Sequence, residues 1–92
     1  MKMRDKIAAV KAVQGYETEI KQKLKEIIEQ TSDFQCRCVT DFMVGDTHIE
    51  ATYESVCRGE YYYEDMNIPI EWLDEGFNYK AAYEKQKRKK RN

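Results

Sequence analysis

The sequence predicts an α+β domain: a long amino-terminal helix packed on a three-stranded antiparallel β-meander, closed by a short carboxyl-terminal helix with a basic tail. Three observations carry that prediction. Apolar residues recur at three- and four-residue steps through the first third of the chain. Two runs of alternating character then flank Gly45-Asp46. A third run, bounded by Arg58-Gly59 and Pro69, follows directly. Ninety-two residues make one small domain with no room for a second core. The body is expected over residues 1–84 and a frayed basic tail over 85–92.

Arg4 to about Gln30 reads as helix. Ile7, Val10, Val13, Tyr16, Ile20, Leu24 and Ile27 form one apolar stripe. Glu17–Lys21 and Glu19–Lys23 stand in the favourable i,i+4 order. Gly15 costs about 1 kcal/mol inside a helix. It marks either a kink or a break between a short first helix and a longer second one. Thr31-Ser32-Asp33 ends the element.

"FQCRCVTDFMV" and "THIEATYESVC" are the first two strands. Glycine at the first position of a two-residue loop suits a type II′ turn at Gly45-Asp46. That turn sets Val44 opposite Thr47. Phe34 then opposes Cys57, Cys36 opposes Ser55, Cys38 opposes Tyr53, Thr40 opposes Ala51 and Phe42 opposes Ile49. This face is almost wholly apolar and belongs under the helix. The other face pairs Gln35 with Val56, Arg37 with Glu54, Val39 with Thr52, Asp41 with Glu50 and Met43 with His48. A second turn at Arg58-Gly59 returns the chain through "EYYYEDMNIPI". Parity sends Tyr62, Met66 and Ile68 inward, with Glu64 a misfit, and Tyr61 and Tyr63 outward beside Val56. Pro69 cannot donate to a ladder and ends the strand or holds it at an edge. "EWLDEGFN" reads as a turn or helical corner, and Asn78 as the cap of a last helix with Tyr79, Ala82 and Tyr83 on a thin apolar side.

The formal net charge of -1 conceals a division. Residues 85–92 hold six of the sixteen Lys and Arg, which leaves the other 84 residues at -7. Eight acids lie between Ile49 and Glu75, with Arg58 the only base among them. Mean hydropathy is -0.87 and no segment is apolar enough to span a membrane. "MKMRDKIAAVKAV" has a basic start, but Lys11 cuts its apolar run and no small-residue cleavage site follows. A signal peptide is not expected, and reduced thiols at Cys36, Cys38 and Cys57 in a cytoplasm are.

Chemistry finds little support. Asp41, His48 and Glu50 share a face in the register above, and two carboxylates with an imidazole are a conceivable divalent-metal set. Solvated polar residues at a hairpin tip, a safe place for like charges, are the better account of them. The cysteines fall on the face away from His48, which excludes a Cys/His pair. Small buried core residues are the reading for all three thiols. No glycine-rich phosphate loop, nucleophile elbow or HExxH occurs. No enzyme activity and no cofactor are expected.

Binding is the better expectation. Tyr61 and Tyr63 are aromatic anchors on a half-apolar, acid-ringed face. That face is covered by the last helix or by Trp72 folding back, or buried against a second copy, or left open to a ligand. A sheet only three strands wide would gain core by self-association, so a homo-oligomer is expected. Arg58 at the turn offers a fork to an anion. The contact residues read from the sequence are therefore Arg58, Tyr61, Tyr63 and Trp72, toward a protein partner or a small anionic ligand. The acidic face also suits mimicry of a phosphate backbone or docking of a sister subunit's tail. The alternative is nucleic-acid binding through Lys85, Lys87, Arg88, Lys89, Lys90 and Arg91, which would be salt-sensitive and sequence-blind.

The stretch "YYYEDMNIPIEWLDEGFNYKAAYEKQKRKK" resembles the carboxyl ends of small uncharacterised proteins encoded by bacterial phages and prophages. The shared feature is a tyrosine-rich acidic strand running into "IPIEWLDE" and then a charged helix, over about the last third of the chain. The resemblance implies an accessory factor working in the bacterial host cytoplasm. Such factors include inhibitors and ligand-sequestering proteins that blunt host defence. It carries over no site residue.

Overall fold

Helix formation begins where the apolar stripe does, but glycine divides it. The computed structural model describes residues 2–13, 15–31 and 35–90, with the backbone alone for 88–90. A short helix α1 spans Met3–Ala8 and a longer helix α2 spans Tyr16–Thr31. Residues 9–13 between them form hydrogen-bonded turns. Gly15 sits at φ +103°, a left-handed conformation that ends helical propagation and that side-chain-bearing residues rarely adopt. Of the two readings of Gly15, the break is the one observed. α2 buries Ile20, Leu24, Ile27, Ile28 and Thr31, the last donating its hydroxyl to the Ile27 carbonyl at 2.7 Å. Val13 stays exposed, because the break turns it off the stripe. Glu17 pairs with Lys21 at 3.0 Å as expected, whereas Lys23 meets Glu26 and Glu19 is taken by Lys6 of α1. That last pair ties the two helices across the break.

The sheet has three antiparallel strands in the order β1-β2-β3, with β1 at Cys36–Val44, β2 at His48–Cys57 and β3 at Glu60–Pro69. The first turn lies one residue later than the sequence reading. Val44 pairs with Ile49, and the Gly45 N–H donates to the His48 carbonyl at 2.8 Å, so Asp46-Thr47 form the bend. Gly45 has no positive φ. Its role is close approach, since a Cβ there would stand 3.1 Å from the His48 carbonyl oxygen.

Two bulges then correct the parity of β1. The register shifts between Cys36 and Cys38 and again between Val39 and Asp41, leaving Arg37 and Thr40 as extra residues. Inward positions on this strand consequently fall every third residue, at Cys36, Val39 and Phe42. Cys38 and Thr40, expected under the helix, are exposed, and Val39, expected outside, is buried. Cys38 faces Glu54 instead of Tyr53. Cys36 keeps its expected partner Ser55. The expected Phe34–Cys57 pair lies outside the described residues, and Cys57 itself is exposed.

The second hairpin has the turn and the face parity expected of it, with Tyr61 beside Val56. Arg58 at φ 54° and Gly59 at φ 81° form the two-residue turn, both left-handed as a type I′ hairpin requires. Ten pairs run without a shift from Cys57–Glu60 to His48–Pro69. Ile49, Ala51, Tyr53, Ser55 and Ile68 are buried beneath α2.

Pro69 ends β3, and Ile70–Leu73 form a 3₁₀ turn that buries Trp72 and Leu73. The last helix, α3, spans Tyr79–Lys90, and Asn78 caps it by accepting the Ala81 N–H at 3.1 Å. Tyr79, Ala82 and Tyr83 lie half-buried against the core, the thin apolar side read from the sequence. α3 packs on α2, so the helices form one layer and the sheet the other. Arg4 of α1 grips Asp74 through two nitrogens, at 2.9 and 2.9 Å, which fastens the start of the chain to the 3₁₀ segment.

Candidate binding face

The outer side of the sheet is the functional candidate, because among the described residues no element covers it. β2 runs through its centre and contributes His48, Glu50, Thr52, Glu54 and Val56 by alternation. β3 adds Tyr61, Tyr63, Asp65 and Asn67 opposite them. β1 adds Met43, Asp41 and, through its bulges, Cys38 and Arg37. Tyr61 is 58% exposed, and Tyr63 and Met43 are each 70% exposed. The last helix and Trp72, one proposed cover for these rings, are both engaged on the inner side.

Polar contacts hold the middle of this face in place. The Arg37 guanidinium reaches Glu54 Oε1 at 3.2 Å and lies 5.0 Å from the centre of the Tyr61 ring. The Cys38 thiol donates to the other Glu54 oxygen at 3.6 Å. The Thr52 hydroxyl donates to Asp65 Oδ1 at 2.8 Å. Arg37 therefore orders one ring of the pair, while the Tyr63 ring projects beside Glu54 with no such clamp. Tyr62 faces inward by parity but is exposed. Its hydroxyl donates to Glu60, and that bond raises the phenol above its usual range.

The other sequence-derived candidates fare differently. Trp72 is only 2% exposed and its ring stacks on Tyr79, with centroids 6.5 Å apart. It is a core residue and not a contact residue. Arg58 is exposed at the hairpin turn, where its backbone does the structural work. The guanidinium that belongs to the face is Arg37, which the sequence register had already set opposite Glu54. Asp41, His48 and Glu50 do not converge. Met43 stands opposite Glu50, Asp41 opposite Thr52, and the Asp41 carboxylate accepts the Phe42 N–H. The His48 ring shares a 2.8 Å hydrogen bond with the Thr47 hydroxyl. Among the described residues no three His, Cys, Asp or Glu side chains are grouped to hold a metal ion.

Residues 85–90 of the basic stretch continue α3. α3 keeps a helical backbone through Lys90, Lys85 and Lys87 are exposed, and the Lys87 ammonium lies 5.3 Å from the Tyr83 ring centre. The side chains of Arg88, Lys89 and Lys90, and all of Arg91, lie outside the described residues. A groove of about 850 Å³ opens between α1, the first hairpin tip and the 3₁₀ turn, lined by Arg4, Ile7, His48, Ile70 and Glu71. Its one guanidinium is already committed to Asp74.

The three thiols separate by environment. Cys36 is 2% exposed, and burial pushes its thiol up to about 11, with Glu29 adding to the effect. Cys38 and Cys57 are exposed. Thiolate is the reactive form. Iodoacetamide treatment of the native protein near pH 8 is expected to add two labels, at Cys38 and Cys57. The third should appear only after denaturation, and peptide mass mapping checks the assignment.

Comparison with family models, with curated proteins and with solved structures returns no match.

Proposed function

We propose that this chain is a non-catalytic binding protein that occupies the cationic surface of a protein partner with the outer face of its sheet. The observation that carries the reading is the uncovered tyrosine pair on a face ringed by Glu50, Glu54, Asp65 and Asp41. A partner's Arg and Lys side chains would meet ring faces and carboxylates together, two contacts that reinforce each other. Tyr63 and Met43 supply the apolar area, and Val56 fills the surface between strands. A phage-type accessory factor that blocks a host protein's phosphate-binding surface would have this chemistry, which agrees with the resemblance of the last third of the chain.

Titration with an arginine-rich peptide, with an acidic peptide as control, tests the reading. Binding is expected for the basic probe alone, weakening with salt. Tyr63→Ala should cost at least 1 to 2 kcal/mol, about a tenfold loss of affinity, with an unchanged melting temperature. Equal affinity in that variant would remove the tyrosine from the site.

The helical continuation of α3 into its lysines favours one second reading, phosphate binding through residues 85–92. Retention on single-stranded DNA that vanishes on deletion of 85–92 and falls steeply with salt would support it. Peptide binding that survives the same deletion supports the first.

A further inference from the structure

The two edges of the sheet are not equivalent. β1 carries two bulges, a device that blunts an edge against pairing with another chain. β3 has ten consecutive pairs with no shift, and sheet order leaves its other side unpaired among the described residues. Which of its backbone groups face that edge follows from the turn. In a two-residue hairpin the closing pair, here Cys57–Glu60, exchanges both backbone bonds, and bonded pairs then alternate. Tyr62, Glu64, Met66 and Ile68 accordingly bond to β2. The Ile70 N–H, donating to the Thr47 carbonyl at 3.0 Å, continues the same even-numbered series. The N–H and C=O groups of Tyr61, Tyr63, Asp65 and Asn67 are left pointing outward.

We infer that two copies of this chain join antiparallel through β3, about a two-fold axis at Tyr63, into a six-stranded sheet. An axis perpendicular to the sheet keeps outer residues beside outer residues, which restricts the register to like parity. Charge and the length of strand that can pair then select among those registers. Centring on Tyr61 leaves only Glu60 to Tyr62 paired before the turn, and centring on Asn67 or Ile68 runs Asp65 or Asn67 against Pro69. Centring on Tyr62 sets Glu60 against Glu64, and centring on Glu64 or Asp65 sets that acid against its own copy. Centring on Met66 runs Tyr63 against Pro69, which has no N–H to give. Centring on Tyr63 sets Tyr63 against Tyr63, Tyr61 against Asp65, Tyr62 against Glu64 and Glu60 against Met66. No acid then opposes an acid, and the outward groups of Tyr63 bond to their own counterparts. This pairing is independent of the proposed partner, but it would bring Tyr61 and Tyr63 of both copies into one patch at the centre of a doubled face.

Light scattering on the full chain gives the first test, with a mass twice the 11.0 kDa of the single chain expected at high micromolar concentration. A monomeric mass there overturns the inference. Tyr63→Lys places like charges across the axis and should return the protein to monomer with an unchanged far-ultraviolet spectrum. Tyr63→Pro, which removes one outward donor per copy, should do the same. A dimer that persists in the folded Tyr63→Lys variant also overturns it. The register is read by cysteine pairing in a Cys38→Ser, Cys57→Ser background. Cα atoms of the two residues at position 63 would stand about 5.5 Å apart, within disulfide range. Those at position 61 would be offset by four residues, about 14 Å along the strand. Mild oxidation should link Tyr63→Cys and leave Tyr61→Cys unlinked; the reverse pattern refutes the axis. None of these measurements involves a partner, so their outcome is separable from that of the peptide titration.

Discussion

Leu24→Ala is expected to lower the unfolding free energy by about 3 to 4 kcal/mol, within the range for truncating a fully buried leucine to alanine. Leu24 has no exposed surface, and neither do Ile20, Ile27 and Ile28 around it on α2. They form one cluster with Ile49, Ala51 and Ile68 of the sheet. The core is a single small cluster, closed at its edges by Ile7, Trp72 and Leu73, so little can shift to refill the space. A domain this small has roughly 5 to 10 kcal/mol of stability in total. The variant should therefore lose a large fraction of it and melt about 15 to 25 °C lower. Urea unfolding followed by circular dichroism checks this, with an unchanged slope showing that the transition stays two-state. Val13→Ala is the matched control. It belongs to the same apolar stripe in the sequence, yet the break at Gly15 leaves it exposed, and its replacement should change stability by less than about 0.5 kcal/mol. A large effect at Val13 would mean that the helix continues through Gly15.

The contrast between Leu24 and Val13 shows what kind of information the sequence holds. Periodicity reports which residues would share a face if the helix were unbroken, and Gly15 alone says where that condition fails. The sheet divides in the same way. The turn and face parity of the second hairpin were legible, because Arg58-Gly59 is a two-residue turn and no residue is inserted after it. Placement of Tyr61 and Tyr63 on the outer face followed from parity alone. β1 was not legible. Its bulges convert a two-residue period into a three-residue one, and "CRCVTDF" reads equally well either way until helix packing selects Val39 over Cys38 and Thr40. Glycine at position 45 added to the error, since a glycine that admits a neighbouring carbonyl looks the same in sequence as one that supplies a positive φ. Beyond Pro69 the chain leaves the sheet. The direction it takes depends on a single 3₁₀ turn, which no spacing in the sequence specifies.

Trp72→Ala is the second large effect, an expected loss of about 3 to 5 kcal/mol. The ring is 2% exposed, and Leu73 beside it is 1% exposed. The 3₁₀ turn contacts α1, α2 and β3, and Trp72 itself stacks on Tyr79 in the first turn of α3. Truncation would thus remove the anchor of the last helix along with the largest side chain of the core. Loss of near-ultraviolet dichroism and a raised rate of amide exchange in Tyr79–Lys90 should accompany the drop in melting temperature. As the chain's single tryptophan, Trp72 also reports on the native state directly, and its fluorescence should resist quenching by iodide until the protein unfolds. The comparison with Tyr63→Ala then separates the two aromatic roles in one experiment. Both residues lie in the same acidic stretch, and composition alone makes them equivalent candidates for contact. Burial assigns them opposite effects: the tryptophan variant should melt early, whereas the tyrosine variant should melt with the wild type and lose only its grip on a basic peptide. If Trp72→Ala melts with the wild type, the 3₁₀ turn does not pack against α2 and α3. The outer face of the sheet would then have lost its argument for standing open, because Trp72 would be free to lie across it.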